Sequence, residues 1–305
     1  MSAASPGGAL SPRILAALVL SVLIWGSTWT AIRYQLGVTA PAWSIAFRFT
    51  IAALAMALYA RWLGMSLRIR RTDLPLIAMI GLTQFMLNFL FLYHAEGFIT
   101  SGLVAMVFAL LIIPNAILGR IFLGHRVGGA FIVGAALAGI GMALLFRHEI
   151  AVAATEGGNA ALGIGLSLCA TLSASVGNVL QASPRVRHLP WAALLVWAMG
   201  LAAVANMAVA LAGSGWPDLD FRPAYWLAVV YLALFGSAIT FPLYLYVMRA
   251  IGPARAAYSS VMVPIVAMGF STLLEDYRWT PVAAAGAVLA LGGMLFALRG
   301  KAATG

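Results

Sequence analysis

Hydrophobic residues in this chain form long unbroken runs that short polar or turn-forming stretches separate. Ten runs are visible: 14–33, 43–62, 74–93, 99–120, 128–146, 161–181, 190–212, 225–248, 255–274 and 280–298. Each is close to the roughly 20 residues that cross a bilayer as an α-helix. A membrane β-barrel would instead show segments of about ten residues with alternating polarity. The pattern therefore predicts an all-α membrane protein with ten transmembrane helices.

The composition agrees with a chain that lies in lipid. Of its 305 residues, 63% are hydrophobic and only 9% are charged, whereas soluble domains are about 25% charged. The first run, which follows Arg13, is longer than the roughly 7–15 apolar residues of a cleavable signal peptide. We expect this run to be retained as a helix. Because Cys169 is the single cysteine, no disulfide can form within the chain.

The basic residues are distributed unevenly between the two sides of the predicted membrane. Thirteen of the eighteen Lys and Arg residues fall in the tails and the even-numbered connections, and four fall on the opposite side. The remaining residue, Arg48, lies within the second run. The positive-inside rule then places both termini in the cytoplasm of a bacterial-type cell, with the protein in its inner membrane. The net charge of +10 thus reflects topology, and no nucleic-acid partner is expected.

One sequence pattern occurs twice, as "GAALAGIGM" from Gly134 and as "GAVLALGGM" from Gly286. The copies fall in the fifth and tenth runs, so each half of the chain holds five runs. Because five is odd, the second half must enter the membrane from the opposite side. The sequence therefore predicts two inverted repeats, 12–146 and 161–299, with 147–160 as linker. Inverted repeats are typical of carriers that work by alternating access, although a duplication can also persist only as a stable bundle.

Polar residues inside the runs recur at helical spacing, so each set forms one face of a helix. In membrane proteins such residues usually face the protein interior or a wet cavity. Interhelical hydrogen bonding could explain any single residue, but five such faces together favour a shared central cavity. The predicted substrate-binding residues are Trp25, Thr28, Gln84, Asn88, Ser175, Asn178, Thr240, Tyr244, Tyr258 and Ser259.

Five further residues are candidates for gates or hinges. Pro114 and Pro264 each remove a backbone hydrogen bond, which gives either a hinge or a static kink. Arg48 is expected to extend towards the headgroups, with a substrate carboxylate or a gate as the alternative. His94 and Glu96 are expected to form a solvated loop pair, with a gate or a proton site as the alternative. Since no carboxylate lies in the middle of a run, a proton relay is not expected.

Several local sequences, in their order along the chain, resemble the EamA-like family of the drug/metabolite transporter superfamily. They are "WGSTW" (25–29), "FRF" (47–49), "AEGFITSGLVAMVFALLIIP" (95–114), "LYLYVMRAIGPARAAYSSVMVP" (243–264) and "EDYRWTP" (275–281). The resemblance covers residues 12–299. It implies ten helices in two inverted repeats, and a central cavity lined mainly by helices 1, 3, 4, 6, 8 and 9. It also implies secondary transport of small molecules, often export of amino acids or other metabolites.

The family motifs map onto particular residues of this chain. They implicate Trp25 and Thr28 in "WGSTW", and Tyr258, Ser259 and Pro264 in "AAYSSVMVP". One position departs from the family pattern: His125 stands where a glutamate often precedes the fifth helix. The equivalent position of the second half keeps its glutamate as Glu275, in a stretch that we expect to be a solvated turn with Asp276 and Arg278. The resemblance therefore implies no shared role for His125 and Glu275.

These observations favour a secondary transporter that exports small metabolites, with amino acids or related compounds as the first choice. A drug or toxic-compound efflux pump is the main alternative, and a membrane scaffold, a channel or a membrane-embedded enzyme are alternatives of other classes. An enzyme is not expected, because the chain lacks H-E-x-x-H, G-x-S-x-G and an intramembrane carboxylate pair. Neither a cofactor nor a metal is expected, since all four histidines lie at run ends or in loops: His94, His125, His148 and His188. The expected partners are a small-molecule substrate and membrane lipid, with the protein as a monomer.

Overall fold

The computed structural model describes residues 11–124, 128–155, 159–186, 188–251 and 259–299, and within these ranges the chain is helical and contains no strand. We label the helices α1 Pro12–Arg33, α2 Pro41–Trp62, α3 Arg71–Ala95, α4 Ser101–Leu123, α5 Gly129–Thr155, α6 Ala160–Ala182, α7 Trp191–Ser214, α8 (223–251), α9 Ser259–Leu274 and α10 Pro281–Arg299. Local sequence explains several boundaries. Proline, whose fixed φ suits the first helical position, begins α1, α2, α8 and α10. Glycines with positive φ follow α4 and α7, at Gly124 and Gly215.

Seven of these helices, α1 to α4 and α6 to α8, are long and apolar enough to cross a membrane by length and composition. The apolar parts of the other three are shorter: Gly129–Leu145, Val261–Leu274 and Pro281–Phe296. The prediction of an all-α, multi-pass membrane protein is therefore confirmed. The finer prediction, that ten helices span the membrane, stays a prediction.

The packing of the helices has an internal symmetry. Helix α2 packs on α7, and α5 packs on α10. The contact of α1 with α9 has its counterpart in that of α6 with α4, and the contact of α1 with α8 has its counterpart in that of α6 with α3. Each helix of the first half corresponds to the helix five places later, so that α1 corresponds to α6 and α5 to α10. When every helix is replaced by its counterpart, the same set of contacts results. The two halves of the chain therefore pack on each other in equivalent ways.

Small residues bring α5 and α10 into close contact. A Cβ added to Gly286 would lie 2.8 Å from the carbonyl oxygen of Gly141, and one added to Gly293 would lie 2.7 Å from that of Gly134. Neither space admits a side chain, which is the behaviour expected of small residues between membrane helices. The repeated glycine-rich segments thus form a scaffold contact.

Three helices of the bundle are irregular. Helix α3 contains a π-helical turn at Gly81–Leu87, and α8 contains one at Leu234–Ile239. Such turns are rare and occur frequently at functional sites. Helix α4 is interrupted at residues 110–111. Pro114 explains this break, because its nitrogen cannot donate a hydrogen bond to the carbonyl of residue 110 and its ring clashes with that carbonyl. Pro264, by contrast, lies within the continuous helix α9.

Candidate functional site

Trp25 connects α1 to the π-helical turn of α8. Its indole Nε1 donates to the carbonyl oxygen of Gly236 at 3.3 Å. Its ring lies 5.1 Å from the ring of Tyr244 and 5.8 Å from that of Phe241, measured between centroids. Thr28 lies on the same helix, but its hydroxyl donates to the Trp25 carbonyl at 2.7 Å. The structure therefore brings Trp25 and Tyr244 together, whereas the Thr28 hydroxyl is used within its own helix.

Three predicted residues lie on the packed helices α3 and α6, and we call them the central cluster: Gln84, Asn88 and Ser175. All three are buried, and each has an oxygen with no hydrogen-bond partner among the described residues. Asn88 Nδ2 donates to the Gln84 carbonyl at 3.1 Å, which leaves Asn88 Oδ1 unpartnered. A buried polar atom without a partner costs about 1–3 kcal/mol. The central cluster thus offers three acceptor oxygens to a hydrogen-bond donor.

The other predicted cavity residues make hydrogen bonds within the protein. Asn178 Nδ2 donates to Asn115 Oδ1 at 3.4 Å, which joins α6 to the broken helix α4 beside Pro114. The Thr240 hydroxyl donates to the Phe235 carbonyl at 2.5 Å and so closes the π-helical turn of α8. The Ser259 side chain interacts with the Tyr244 hydroxyl. Tyr258 and His125 lie outside the described residues.

A series of packed rings, which we call the aromatic chain, runs from α8 to α3, on to α2 and back to α3: Phe241, Phe85, Phe49 and Phe89. Successive ring centroids lie 5.7, 5.2 and 5.0 Å apart. Trp25 contacts Phe241, so the aromatic chain extends from the Trp25–Tyr244 contact to Phe89, the residue that follows Asn88 in α3. The sequence analysis missed these rings. Phe85, Phe89 and Tyr93 nevertheless recur every fourth residue, directly beside Gln84 and Asn88, and that spacing could have identified them.

Arg48 is buried within the protein, with 3% of its surface exposed. Its guanidinium carbon lies 4.4 Å from the centroid of the Phe89 ring, and Nε and Nη2 each lie 3.4 Å from Ser237 Oγ. Nη1 has no partner among the described residues. The expectation that Arg48 extends to the headgroups is therefore wrong. This part of α2 faces α3 and α8, and Gly236, which has no side chain, leaves room for the guanidinium.

Glu96 and His94 do not form the expected solvated pair. Glu96 is 0% exposed, and neither carboxyl oxygen has a partner among the described residues. His94 is exposed, and its Nδ1 lies 2.7 Å from the Leu90 carbonyl oxygen. The reason is the turn that follows α3: Arg33, at the end of α1, donates to the backbone carbonyl of Glu96. That hydrogen bond fixes the Glu96 backbone against α1.

Burial raises the pKa of the Glu96 carboxyl well above its ordinary value, and the negative charge of nearby Glu275 raises it further. The positive charges of Arg33 and Arg48 act in the opposite direction, but burial dominates. Taken together, these effects favour the protonated form of the Glu96 carboxyl.

Glu275 caps the start of α4. Its carboxylate accepts hydrogen bonds from the backbone N–H of Ser101 at 2.9 Å, from the Ser101 hydroxyl, and from the Ser271 hydroxyl at 3.3 Å. A carboxylate at this place also satisfies the positive end of the helix dipole. The expected solvated turn is thus wrong for Glu275, which joins the two halves of the chain, but it holds for Asp276 and Arg278, which are exposed.

The central cluster and Arg48 are enclosed by protein in this conformation. An open cleft lies elsewhere, at the opposite end of the helices from Glu96 and Glu275, and is lined by Leu67, Arg68, Ile69, Arg71, Leu74 and Trp197. None of the predicted site residues lines this cleft. Among the described residues, no three histidine, cysteine, aspartate or glutamate side chains lie close enough together to hold a metal ion.

Comparison with known proteins gives consistent relatives. The model of the EamA-like transporter family matches residues 12–147 and 161–299. A protein of Streptantibioticus cattleyicolor named "Probable terminal-alkyne amino-acid exporter" is 29% identical over 287 residues, 93% of this chain and 92% of the relative. An Escherichia coli protein named "Probable amino-acid metabolite efflux pump" is 27% identical over 311 residues, 95% of this chain and 96% of the relative.

The fold also has a counterpart among solved structures. A crystal structure, described only as that of a protein, superimposes with a TM-score of 0.68 at 18% sequence identity, and covers 95% of this chain and 97% of its own. At that identity the likeness concerns the fold alone. The family match extends over both halves of the chain and agrees with the motifs read from the sequence. The chain belongs to the EamA-like transporter family.

Proposed function

We propose that this transporter exports amino acids or closely related metabolites, and that it binds them between its two halves. The observation that carries the proposal is that four buried polar atoms of predicted site residues have no hydrogen-bond partner among the described residues: the three oxygens of the central cluster and Nη1 of Arg48. Buried polar groups in proteins are almost always hydrogen-bonded. A bound substrate with complementary groups would satisfy them.

The chemistry of these atoms fits a zwitterion. Arg48 is the only Lys or Arg that the sequence places away from the ends of a span, and a guanidinium is well suited to a carboxylate. The oxygens of Gln84, Asn88 and Ser175 can accept hydrogen bonds from an ammonium group. The aromatic chain lies beside both and offers an apolar surface for a side chain. Two relatives, one named as a probable amino-acid exporter and one as a probable amino-acid metabolite efflux pump, favour the same class.

The proposed mechanism is alternating access by two inverted five-helix repeats, 12–146 and 161–299. The equivalent helix contacts of the two halves support it, as does the position of π-helical turns at corresponding places in α3 and α8. We propose that ten helices span the inner membrane, with both termini in the cytoplasm as the basic residues indicate. The break in α4 before Pro114 would act as a hinge, and the carrier would work as a monomer without a catalytic step.

Counterflow in proteoliposomes tests this function. The vesicles are loaded with unlabelled alanine, threonine, leucine or phenylalanine, and uptake of the same labelled amino acid is followed. We expect saturable exchange that the amino-acid amide inhibits poorly, because the amide lacks the carboxylate that Arg48 would bind. Absence of exchange for the whole panel, in protein shown to be folded, would contradict the proposal.

A drug-efflux function is the second candidate, and the aromatic chain is the observation that favours it. Offset and edge-to-face rings bind flat apolar compounds well. The same vesicles loaded with planar cationic drugs distinguish the two functions. Exchange of such drugs without exchange of amino acids would favour the efflux pump.

A further inference from the structure

The open cleft described above lies between the connection from α2 to α3 and the first turns of α7, and the transport cycle gives it no role. Its volume is about 580 Å³, within the roughly 300–1,000 Å³ that ligand pockets occupy. Two arginines and four apolar residues line it: Arg68, Arg71, Leu67, Ile69, Leu74 and Trp197. A ligand that matches this lining combines a negative charge with an apolar part.

The connection forms one wall of the cleft because α2 ends at a glycine. Gly64 adopts the left-handed conformation, with a φ of 67°, and the backbone N–H of Met65 donates to the Ala60 carbonyl at 2.8 Å. This is the Schellman motif, which ends a helix and turns the chain. In the six residues that follow, 65–70, half-buried and exposed side chains alternate, so that the arginines of this stretch are exposed.

A tryptophan of α7 forms the opposite wall and holds the connection in place. Trp197 Nε1 donates to the Leu67 carbonyl at 2.9 Å, and the residue is 41% exposed. It lies six residues after Trp191, the first residue of α7, which is roughly 9 Å along the helix at 1.5 Å per residue. Since α7 is apolar enough to cross a membrane, the cleft extends beside the part of this helix that lies in lipid.

The arginines of the cleft have no acidic partner in the protein. Arg68 and Arg71 are exposed, and neither forms an ion pair among the described residues. The acid that is nearest in sequence, Asp73, is engaged elsewhere: its carboxylate accepts a hydrogen bond from the backbone N–H of Arg70 at 3.3 Å and lies 3.2 Å from His188 Nε2. The positive charge of the cleft is therefore left for a ligand.

We propose that this cleft binds one anionic phospholipid, with its phosphate at Arg68 and Arg71 and an acyl chain along the apolar wall that contains Trp197. Guanidinium groups pair with phosphate through parallel hydrogen bonds, and basic pockets between membrane helices on the cytoplasmic side suit anionic headgroups. The basic residues indicate that this end of the bundle is cytoplasmic. A soluble phosphate compound would leave the apolar walls uncovered, whereas a lipid uses both parts of the cleft. The inference does not depend on the transported substrate.

Native mass spectrometry of the full chain, purified in detergent, tests the proposal. The probes are phosphatidylglycerol and phosphatidylcholine with the same acyl chains, which differ in net charge. Wild type should retain one phosphatidylglycerol several-fold more than phosphatidylcholine, and the double variant Arg68→Gln with Arg71→Gln should lose this preference. The matched control is Arg61→Gln with Arg70→Gln, because these arginines are exposed nearby but do not line the cleft. It should retain the lipid as wild type does.

Four results would overturn the lipid site. Wild type that retains both lipids equally would remove the charge requirement, and this comparison needs no variant. R68Q/R71Q that keeps the preference would remove the two arginines from the site. Equal loss in R68Q/R71Q and R61Q/R70Q would show attraction to the general basic charge of this end. Displacement of the lipid by millimolar glycerol phosphate would indicate a site for a soluble anion in which the acyl chain has no part.

Leu74→Trp tests the apolar part of the cleft, because the larger side chain fills space while every arginine remains. Retention of phosphatidylglycerol should fall in L74W as it does in R68Q/R71Q, and unchanged retention would mean that the acyl chain lies elsewhere.

Thermal unfolding in detergent supplies a second measurement that needs no transport. Phosphatidylglycerol, unlike phosphatidylcholine, should raise the unfolding temperature of wild type by a few degrees, since a ligand that binds only the folded state stabilises it. The shift should be absent in R68Q/R71Q. Without lipid, this variant should unfold at the wild-type temperature. R68Q/R71Q protein that fails to fold would count against the proposal, because exposed arginines that await a lipid should be dispensable for folding.

Discussion

A buried asparagine in a membrane helix must satisfy both the nitrogen and the oxygen of its amide. In Asn88 and Asn206 the amide nitrogen is satisfied in the same way, because each Nδ2 donates to the backbone carbonyl one turn earlier, at 3.1 and 2.8 Å. In both residues Oδ1 lacks a partner among the described residues. They differ in their surroundings, because Asn88 belongs to the central cluster whereas Asn206 lies on α7. At the residue scale, they form a matched pair.

Asn88→Ala should therefore reduce transport, and Asn206→Ala should not. If the substrate donates a hydrogen bond to Asn88 Oδ1, its loss costs about 0.5–1.5 kcal/mol, or up to about tenfold in affinity. The half-saturation concentration for counterflow should rise by that factor in N88A and stay near wild type in N206A. Both variants should unfold at similar temperatures because they remove the same local hydrogen bond. Equal transport by the two variants would remove Asn88 from the substrate site.

At the element scale, the contact between α5 and α10 is set by glycines. Gly141 leaves no room for a Cβ, since that atom would meet the backbone of Ala290 and the carbonyl of Gly286. Gly139, two residues earlier on the same helix, faces open space. The two glycines therefore separate the effect of helix packing from that of helix propensity.

Gly141→Ala should lower the apparent unfolding temperature in detergent, whereas Gly139→Ala should keep it or raise it. Overpacking of a tight contact costs about 1–3 kcal/mol. Alanine in a helix is favoured over glycine by about 1 kcal/mol, and at Gly139 nothing opposes that gain. A thermal scan of the two purified variants beside wild type gives the comparison. A G141A protein as stable as G139A would mean that α5 and α10 are not held by this close approach.

Most of the helices could be predicted from the sequence, because an apolar run of sufficient length has few other structures available in lipid. The burial of individual charges could not. Arg48 was expected at the headgroups from its distance to the helix start, but which face of α2 meets α3 and α8 depends on long-range packing. The sequence places Glu96 in solvent because it follows a helix end, whereas the structure buries it beside the end of α1, where Arg33 donates to its backbone carbonyl. The oxygens of the central cluster were predicted as a face, but their lack of partners required the structure.

At the scale of the whole molecule, the two halves contact each other at both ends of the bundle. Near the α1–α2 connection, the Thr39 hydroxyl donates to the Asp218 carbonyl at 2.7 Å, and Trp43 Nε1 donates to the Gly215 carbonyl at 3.0 Å. At the opposite end, His188 Nε2 lies 3.2 Å from the Asp73 carboxylate. The central cluster is buried between these contacts. In the proposed alternating-access cycle, these contacts would have to separate in turn to open either end.

Crosslinking each end tests that interpretation, because alternating access requires both ends to separate in turn. In a Cys169→Ala background, which removes the single exposed thiol, one variant carries Thr39→Cys with Asp218→Cys, and another carries Asp73→Cys with His188→Cys. A short, reducible bifunctional thiol reagent should stop counterflow in both variants, and a reductant should restore it.

The control for that experiment is a pair within one half, Thr272→Cys with Trp279→Cys, whose native side chains are joined by a hydrogen bond of 2.9 Å. The same reagent should leave its transport unchanged, because a link inside one repeat does not prevent the halves from rocking. Transport that continues with either end crosslinked between the halves would show that substrate crosses without separation of that end. The two inverted repeats would then be a structural scaffold, and the path of the substrate would lie elsewhere than between them.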